Sequence, residues 1–158
     1  MKIISFVLKI ISFLILIFIW IFTIINFKKL PEIVPIHYNL DGIPDGFGSR
    51  GTIWFETGLT TVLFLFLMYV SKKPDFPLLN IPQNIKDNPI LTEFVVSVLL
   101  LIIMLIFADI NYESISNALG KTKGLSSMMH YLLGLVFIFV VGLLIYSYKI
   151  SKRQNLQG

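Results

Sequence analysis

The sequence predicts an all-α membrane protein in which four transmembrane helices form a compact bundle. Of its 158 residues, 56% are hydrophobic and 14% are charged, whereas roughly a quarter of a soluble chain is normally charged. The apolar residues are gathered into four long runs separated by short polar segments, and the mean hydropathy is +0.83. These observations exclude an ordinary soluble domain.

The four helices are expected at residues 3–27, 53–71, 90–109 and 127–149, within a single domain that covers residues 1–158. At about 1.5 Å per residue the shortest of them reaches roughly 28 Å, close to a hydrocarbon layer of about 30 Å. The first segment ends in Asn26-Phe-Lys-Lys29 rather than a small-residue cleavage site. We therefore interpret it as a retained helix and not as a signal peptide.

The distribution of lysine and arginine predicts a multi-pass protein of the cell membrane with both termini in the cytoplasm. The two termini and the second loop carry eight of these residues, and the first and third loops carry five. Cytoplasmic segments retain the larger share of positive residues. The net charge is +4, and because most basic residues flank apolar runs, we assign them to the lipid bilayer and expect no nucleic-acid partner.

The remaining connections are expected to be short or irregular. Four prolines within residues 71–89 favour an irregular segment. Residues 111–119 are expected to form a short interfacial helix that Gly120 ends, and residues 155–158 are expected to be a frayed tail. The chain has no cysteine, which excludes disulfides and thiolate metal sites.

The most unusual segment is the predicted extracytoplasmic loop at residues 28–52, which is rich in turn-forming residues. Its prolines favour an extended chain at first, and Ile33, Val34, Ile36 and Tyr38 suit a strand-like conformation. Asn39-Leu-Asp-Gly42 and Ile43-Pro-Asp-Gly46 then combine aspartate, proline and glycine as tight turns do. We expect two successive turns that bring the polar side chains together. These are His37, Asn39, Asp41 and Asp45.

Polar residues near the predicted outer surface leave other functions open. His37, Glu56, Asp109 and His130 form a candidate metal or polar cluster, because imidazole and carboxylate groups bind metals. A metal-dependent membrane enzyme using His37, His130 and Glu56 is one alternative, and a small transporter is another. If Glu56 has a structural role instead, we expect its carboxylate to pair with Arg50 or with an interfacial lysine.

The sequence contains neither a G-x-S-x-G nucleophile elbow nor a phosphate-binding glycine motif. We therefore assign no catalytic residue and expect no cofactor. A noncatalytic membrane protein is the leading interpretation.

The loop carries a recognisable pattern of residues that follows the first predicted transmembrane helix. Its motif positions are Pro35, His37, Asn39, Gly42, Asp45, Gly48, Ser49 and Arg50. The pattern resembles a family of small bacterial membrane proteins that carry a domain of unknown function. The same domain forms the N-terminal part of SdpI-type toxin immunity proteins. The resemblance is specific over residues 30–54.

The resemblance implies immunity to, or sensing of, a membrane-active peptide through the outer loop. SdpI-type proteins protect a cell from a membrane-active peptide toxin and can hold a transcriptional repressor at the membrane. A peptide toxin, or a membrane or regulatory protein, is therefore the implied partner. We expect His37 and Asn39 to interact with Asp45 or Arg50 and to lock the loop over the outer end of the bundle.

Overall fold

The computed structural model describes residues 1–155, and in these it contains four helices long and apolar enough to cross a membrane. The long helices are α1 (Lys2–Phe27), α2 (Thr52–Val70), α4 (Pro89–Ala118) and α5 (Met128–Asn155). Between α1 and α2 lie two strands, β1 (Ile33–Tyr38) and β2 (Pro44–Ser49), and the short helix α3 (Gln83–Lys86) precedes α4. The predicted four-helix membrane fold is confirmed, with a small two-stranded sheet added to it.

α4 is the central element, since it contacts α1, α2, α5 and β1. Its 30 residues reach about 45 Å at 1.5 Å per residue, which is longer than the hydrocarbon layer of a bilayer. The main core lies where α1, α2 and α4 meet. Its buried apolar residues include Leu16, Ile19, Phe64, Leu67, Leu100 and Met104.

α5 lies beside α4 and α3 and has few buried side chains. Phe139 and Leu143 pack against Leu91 and Val95 of α4. At the end of α5 near α3, the Ser147 hydroxyl donates a hydrogen bond to Oδ1 of Asn84 in α3 at 2.9 Å. The apolar surface of α5 that these contacts leave uncovered is suited to lipid.

The C-terminal third of α4 differs from the sequence-based prediction. The prediction ends this helix at residue 109 and places a separate interfacial helix at residues 111–119, whereas α4 continues unbroken to Ala118. No glycine or proline interrupts this stretch, and Asn111 and Glu113 are buried against the rest of the protein. Gly120 ends the helix with a φ of +70°, as expected for a left-handed C-terminal residue.

Three smaller predictions also need correction. Residues 43–46, predicted as a second tight turn, lie mainly in β2, where Pro44 pairs with Tyr38. Residues 71–89 are not wholly irregular, because they contain α3, and Asn88 caps α4 by accepting the N–H of Leu91 at 3.1 Å. α5 extends to Asn155, and the rest of the predicted tail, residues 156–158, lies outside the described residues.

Candidate functional site

The motif loop forms an antiparallel β-hairpin, residues 33–49, at one end of the bundle. Val34 lies opposite Gly48, and His37 lies opposite Gly46. A Cβ atom at Gly46 would lie 2.8 Å from the Cβ of His37, and one at Gly48 would lie 2.9 Å from Cδ1 of Ile36. Both distances are well below the 3.5–4.0 Å, approximately, at which carbon atoms pack. Close packing of the two strands therefore explains Gly46, whereas at Gly48 the exposed end of the Ile36 side chain could move aside.

Asn39 and Gly42 form the turn at the hairpin tip. The side-chain oxygen of Asn39 accepts hydrogen bonds from the backbone N–H groups of Asp41 at 3.0 Å and Ile43 at 2.9 Å. Gly42 has a φ of +75°, a conformation that glycine adopts without steric cost. The first predicted tight turn is confirmed, and both motif residues hold its shape.

His37 and Asp45 pair across the hairpin. Nδ1 of His37 lies 2.5 Å from Oδ1 of Asp45, and the two side chains are 70% and 45% exposed. An exposed pair of this kind contributes about 1 kcal/mol or less. It orients the end of the hairpin and makes only a small contribution to folding.

Ser49 and Arg50 join the hairpin to the neighbouring helices. Arg50 donates from Nη1 to the carbonyl oxygen of Leu30 at 3.2 Å, and its guanidinium lies 5.5 Å from the ring centre of Phe27 at the end of α1. The Ser49 hydroxyl accepts the N–H of Gly51 at 3.2 Å, immediately before α2 begins. These contacts fix the hairpin's base relative to α1 and α2.

The side of the hairpin that faces the bundle is closely packed. Val34 is fully buried and clusters with Leu30, Ile53 and Ile115. The motif residue Pro35 is also buried. Phe27 of α1 also packs against this cluster, to which α2 contributes Ile53 and α4 contributes Ile115, so the hairpin is seated on three helices.

A buried polar network lies beneath the hairpin. Asn111 is fully buried and donates from Nδ2 to Oε2 of Glu56 and towards the hydroxyl of Thr23, both at 3.2 Å. The hydroxyls of Thr23 and Thr57 are also 3.2 Å apart. The network thus joins α1, α2 and α4. Within the described residues the side-chain partner of Glu56 is an amide of α4, and not Arg50 or a lysine as the sequence-based interpretation has it.

Further acidic groups lie at the same end of α4. Oε2 of Glu113 and Oδ2 of Asp109 are buried and have no hydrogen-bond partner within the described residues. Glu113 also lines a cavity of about 350 Å³ together with Asp41 and Thr122. Burial raises the pKa of the neighbouring Tyr38 above its ordinary value of 10.0. The hairpin end therefore combines acidic groups with a tyrosine that keeps its proton.

The four residues of the candidate metal or polar cluster do not form one group. His37 is bonded to Asp45 on the hairpin, and His130 is exposed on α5. Glu56 and Asp109 belong to α2 and α4 near the hairpin. Within residues 1–155, no group of three or more histidine, aspartate or glutamate side chains is arranged to hold a metal ion. The described residues therefore provide no set of metal ligands for the alternative function, a metal-dependent enzyme.

The sequence comparison agrees with the position of the hairpin in the chain. Residues 14–61 match the family model of a domain of unknown function, DUF1648. The chain carries a DUF1648 domain. This confirms that the loop motif belongs to a domain of unknown function, as the resemblance implied. The DUF1648 match includes Thr23, the whole hairpin and Glu56, whereas Asn111 and Glu113 lie outside it, so α4 completes the polar network from beyond the domain.

One relative also matches part of this chain. An uncharacterized protein of Archaeoglobus fulgidus is 28% identical over 53 residues, which are 34% of this chain and 29% of the archaeal protein. The match therefore spans less than a third of that relative's length. No solved structure matches the chain.

Sequence reasoning missed two polar groups that the structure brings together. Thr23 and Asn111 are single polar residues in apolar or mixed segments, and nothing in their spacing connects them. A second group is Lys9 and Glu93, whose Nζ and Oε1 atoms lie 2.6 Å apart at the other end of the bundle. For Lys9 and Glu93 the sequence did contain a signal, because each is an ionisable residue inside a predicted membrane helix and such a residue needs a partner.

Proposed function

We propose that the protein is a noncatalytic membrane protein that recognises a membrane-active peptide through the exposed surface of its hairpin, as an immunity or sensing protein would. The observation that carries this proposal is a set of apolar side chains that stay exposed although the hairpin itself is fixed to the bundle. They are Ile33, Ile36, Leu40, Ile43 and Phe47. A rigid apolar surface of this kind is typical of binding sites.

The motif's polar residues support recognition over catalysis because their bonds are structural. Asn39 holds the turn, Arg50 packs on Phe27 at the end of α1, and His37 pairs with Asp45. The motif thus fixes a shape. The surface offered to a partner comes mainly from the apolar residues around it.

A groove on the hairpin is suited to an amphipathic segment. Ile33 and Phe47 line it together with Glu32, Ser49 and Arg50, and its volume is about 580 Å³. Apolar walls bordered by one acidic and one basic side chain complement a peptide that carries both apolar and charged residues.

The sheet also favours binding of an extended peptide. It has two strands in the described structure, and β1 is the strand that contacts α4. The outer edge of β2 therefore presents backbone groups that another strand can pair with. Addition of a peptide strand at this edge would place its side chains beside Phe47.

The resemblance to SdpI-type immunity proteins supports the same partner class, a membrane-active peptide toxin. This resemblance rests on the DUF1648 motif alone.

The proposal also places the hairpin outside the cytoplasm and both termini inside, following the lysine and arginine distribution. The absence of cysteine from the sequence allows a direct test. Leu40→Cys should react with a membrane-impermeant maleimide in intact cells, and reaction only after lysis would reverse the proposed orientation.

A survival assay tests the function. Cells that express the protein, challenged with a panel of membrane-active peptides, should survive at least one peptide better than cells with an empty vector. Leu40→Ser should abolish this protection, because Leu40 is 96% exposed at the hairpin tip. Leu78→Ser is the matched control, since Leu78 is 77% exposed but lies in the loop before α3.

Binding of the same peptide to purified protein in nanodiscs should follow the survival result. Phe47→Ser should weaken binding, and Leu78→Ser should leave it unchanged. Equal survival with wild type and empty vector across the panel would remove the proposal. If Leu78→Ser reduced protection and peptide binding as much as the hairpin variants do, the hairpin would not be the recognition surface.

A further inference from the structure

A second groove lies at the opposite end of the bundle, away from the hairpin. It runs between the start of α1 and the end of α2, reaches the start of α4, and has a volume of about 670 Å³. Its walls combine aromatic and aliphatic side chains with lysines. The apolar side chains are Phe6, Ile10, Phe13, Phe64 and Met68, and the lysines are Lys2, Lys9 and Lys72.

Glu93 of α4 organises the basic part of this groove. Its Oε1 accepts from Nζ of Lys9 at 2.6 Å and from Nζ of Lys72 at 2.7 Å. The Lys9 side chain is only 7% exposed, whereas that of Lys72 is 66% exposed. One carboxylate thus holds a buried and an exposed ammonium group side by side at the mouth of an apolar groove.

The charges of the groove do not balance. Three lysines line it with a single carboxylate, Glu93, which leaves an excess of two positive charges. Each lysine ammonium also has three N–H donors, and Lys9 and Lys72 each direct one of them to Glu93. The remaining donors suit the oxygen atoms of an anionic group.

The apolar part of the groove identifies the rest of the ligand. Phe6 and Phe13 are exposed on the outer side of α1, while Phe64 is buried and packs against Phe13 with ring centres 6.0 Å apart. The apolar wall therefore continues from the lysines along the helix surface towards the bilayer interior. Such a wall fits an acyl chain and would contribute nothing to binding a free anion.

We propose that this groove is a binding site for one acidic phospholipid. The lysines hold its phosphate, and the aromatic wall holds an acyl chain. Under the proposed orientation the site faces the cytoplasmic leaflet, where anionic lipids attract basic residues. The inference is independent of the hairpin and of peptide recognition.

Native mass spectrometry of the full chain in detergent tests the site. Phosphatidylglycerol and phosphatidylcholine with identical acyl chains are titrated separately, and the apparent affinity of the first bound lipid is compared. We expect tighter binding of phosphatidylglycerol. Lys72→Gln should weaken that binding about fivefold, the usual effect of one lysine near an anionic lipid surface, and should leave phosphatidylcholine binding unchanged.

Lys73→Gln is the matched control, because it removes the same charge one residue away and Lys73 does not line the groove. Lys2→Gln repeats the test at an exposed residue at the start of α1, in case Lys72→Gln folds poorly. Equal binding of the two lipids would overturn the proposal, and so would equal losses in Lys72→Gln and Lys73→Gln. Displacement of the lipid by an equal concentration of inorganic phosphate would also overturn it, since the site would then recognise phosphate alone.

Discussion

Leu125, in the connection between α4 and α5, donates its backbone N–H to the carbonyl oxygen of Gly42 at 2.8 Å. This bond joins the tip of the hairpin to a loop far away in the sequence. A Cβ atom at Gly42 would lie 3.0 Å from the carbonyl oxygen of Leu125, and one at Gly124 would collide with the carbonyl oxygen of Gly42. The two backbones approach closely because both positions lack a side chain.

Gly124→Ala should release the hairpin tip from this loop. The expected result is faster amide hydrogen exchange at residues 39–43, measured by mass spectrometry, because the added methyl group cannot fit against Gly42. Gly42→Ala should also speed exchange, since it combines a tight contact of 3.0 Å with Leu125 and the cost of a left-handed conformation, about 1–2 kcal/mol. Gly120→Ala is the control, because Gly120 also has a positive φ but nothing lies within 4 Å of the added Cβ.

Unchanged exchange in Gly124→Ala, or equal exchange at residues 39–43 in Gly42→Ala and Gly120→Ala, would contradict the close contact. In the first case the loop would have room for the methyl group. In the second, neither the contact with Leu125 nor the positive φ of Gly42 would constrain the hairpin tip.

Asn111→Ala should destabilise the bundle by about 1–3 kcal/mol, the cost of leaving buried polar groups without partners. Asn111 is the donor to Glu56 and a partner of Thr23. Glu56→Gln should cost less, because the amide oxygen still accepts from Asn111. Unfolding of detergent-solubilised protein in increasing sodium dodecyl sulfate gives the free energies.

Asn80→Ala is the control for this experiment, since Asn80 is exposed in the connection before α3. If the free energies of unfolding of Asn111→Ala and Asn80→Ala agree within error, the network does not stabilise the bundle. A loss in Glu56→Gln as large as that in Asn111→Ala would instead indicate that the negative charge of Glu56 matters.

The membrane helices were predictable because each is a long apolar run, and run length is a local property of the sequence. The extension of α4 was not, because residues 110–118 contain several polar side chains that suggest a surface segment. Asn111 and Glu113 are nevertheless buried, since the hairpin and α1 cover that side of the helix. Polarity alone does not distinguish a solvated loop from a helix that is covered by another part of the same chain.

The hairpin shows the same limit in a different way. Asn39 and Gly42 specify a turn by local chemistry, so the first turn was predictable. Pro44, Asp45 and Gly46 also have turn chemistry, yet they lie in or beside paired backbone opposite β1. Pairing with β1 outweighed this local turn preference. The partners of Glu56 and Lys9 depend on helix packing in the same way.

Glu93→Ala should destabilise the other end of the bundle strongly, because it leaves the nearly buried Lys9 ammonium without its carboxylate. Breaking a buried ion pair by removing one partner costs about 3 kcal/mol or more. Lys72→Ala should cost about 1 kcal/mol or less, since this side chain is mostly exposed. The same dodecyl sulfate titration measures both variants.

The double variant Lys9→Met/Glu93→Leu separates charge from packing. Replacing both members of a buried pair by apolar residues is often neutral, so its stability should be closer to wild type than that of Glu93→Ala. A double variant as unstable as Glu93→Ala would mean that side-chain shape, and not the unpaired charge, accounts for the loss.

Tyr38 should make the protein less stable at alkaline pH. Burial raises the pKa of Tyr38 in the folded protein above the ordinary value of 10.0, so the unfolded chain loses this proton first as the pH rises. The stability contributed by the neutral hydroxyl is complete below pH 10.0 and is lost as the pH increases towards the raised pKa of the folded state. Tyr38→Phe has no proton to lose, and its unfolding free energy should fall less between pH 9 and pH 11, approximately. Tyr131→Phe is the control, since Tyr131 is exposed on α5, and it should follow the wild-type pH dependence. Parallel curves for wild type and Tyr38→Phe would show that the folded and unfolded states bind this proton equally, which is incompatible with a buried Tyr38 hydroxyl.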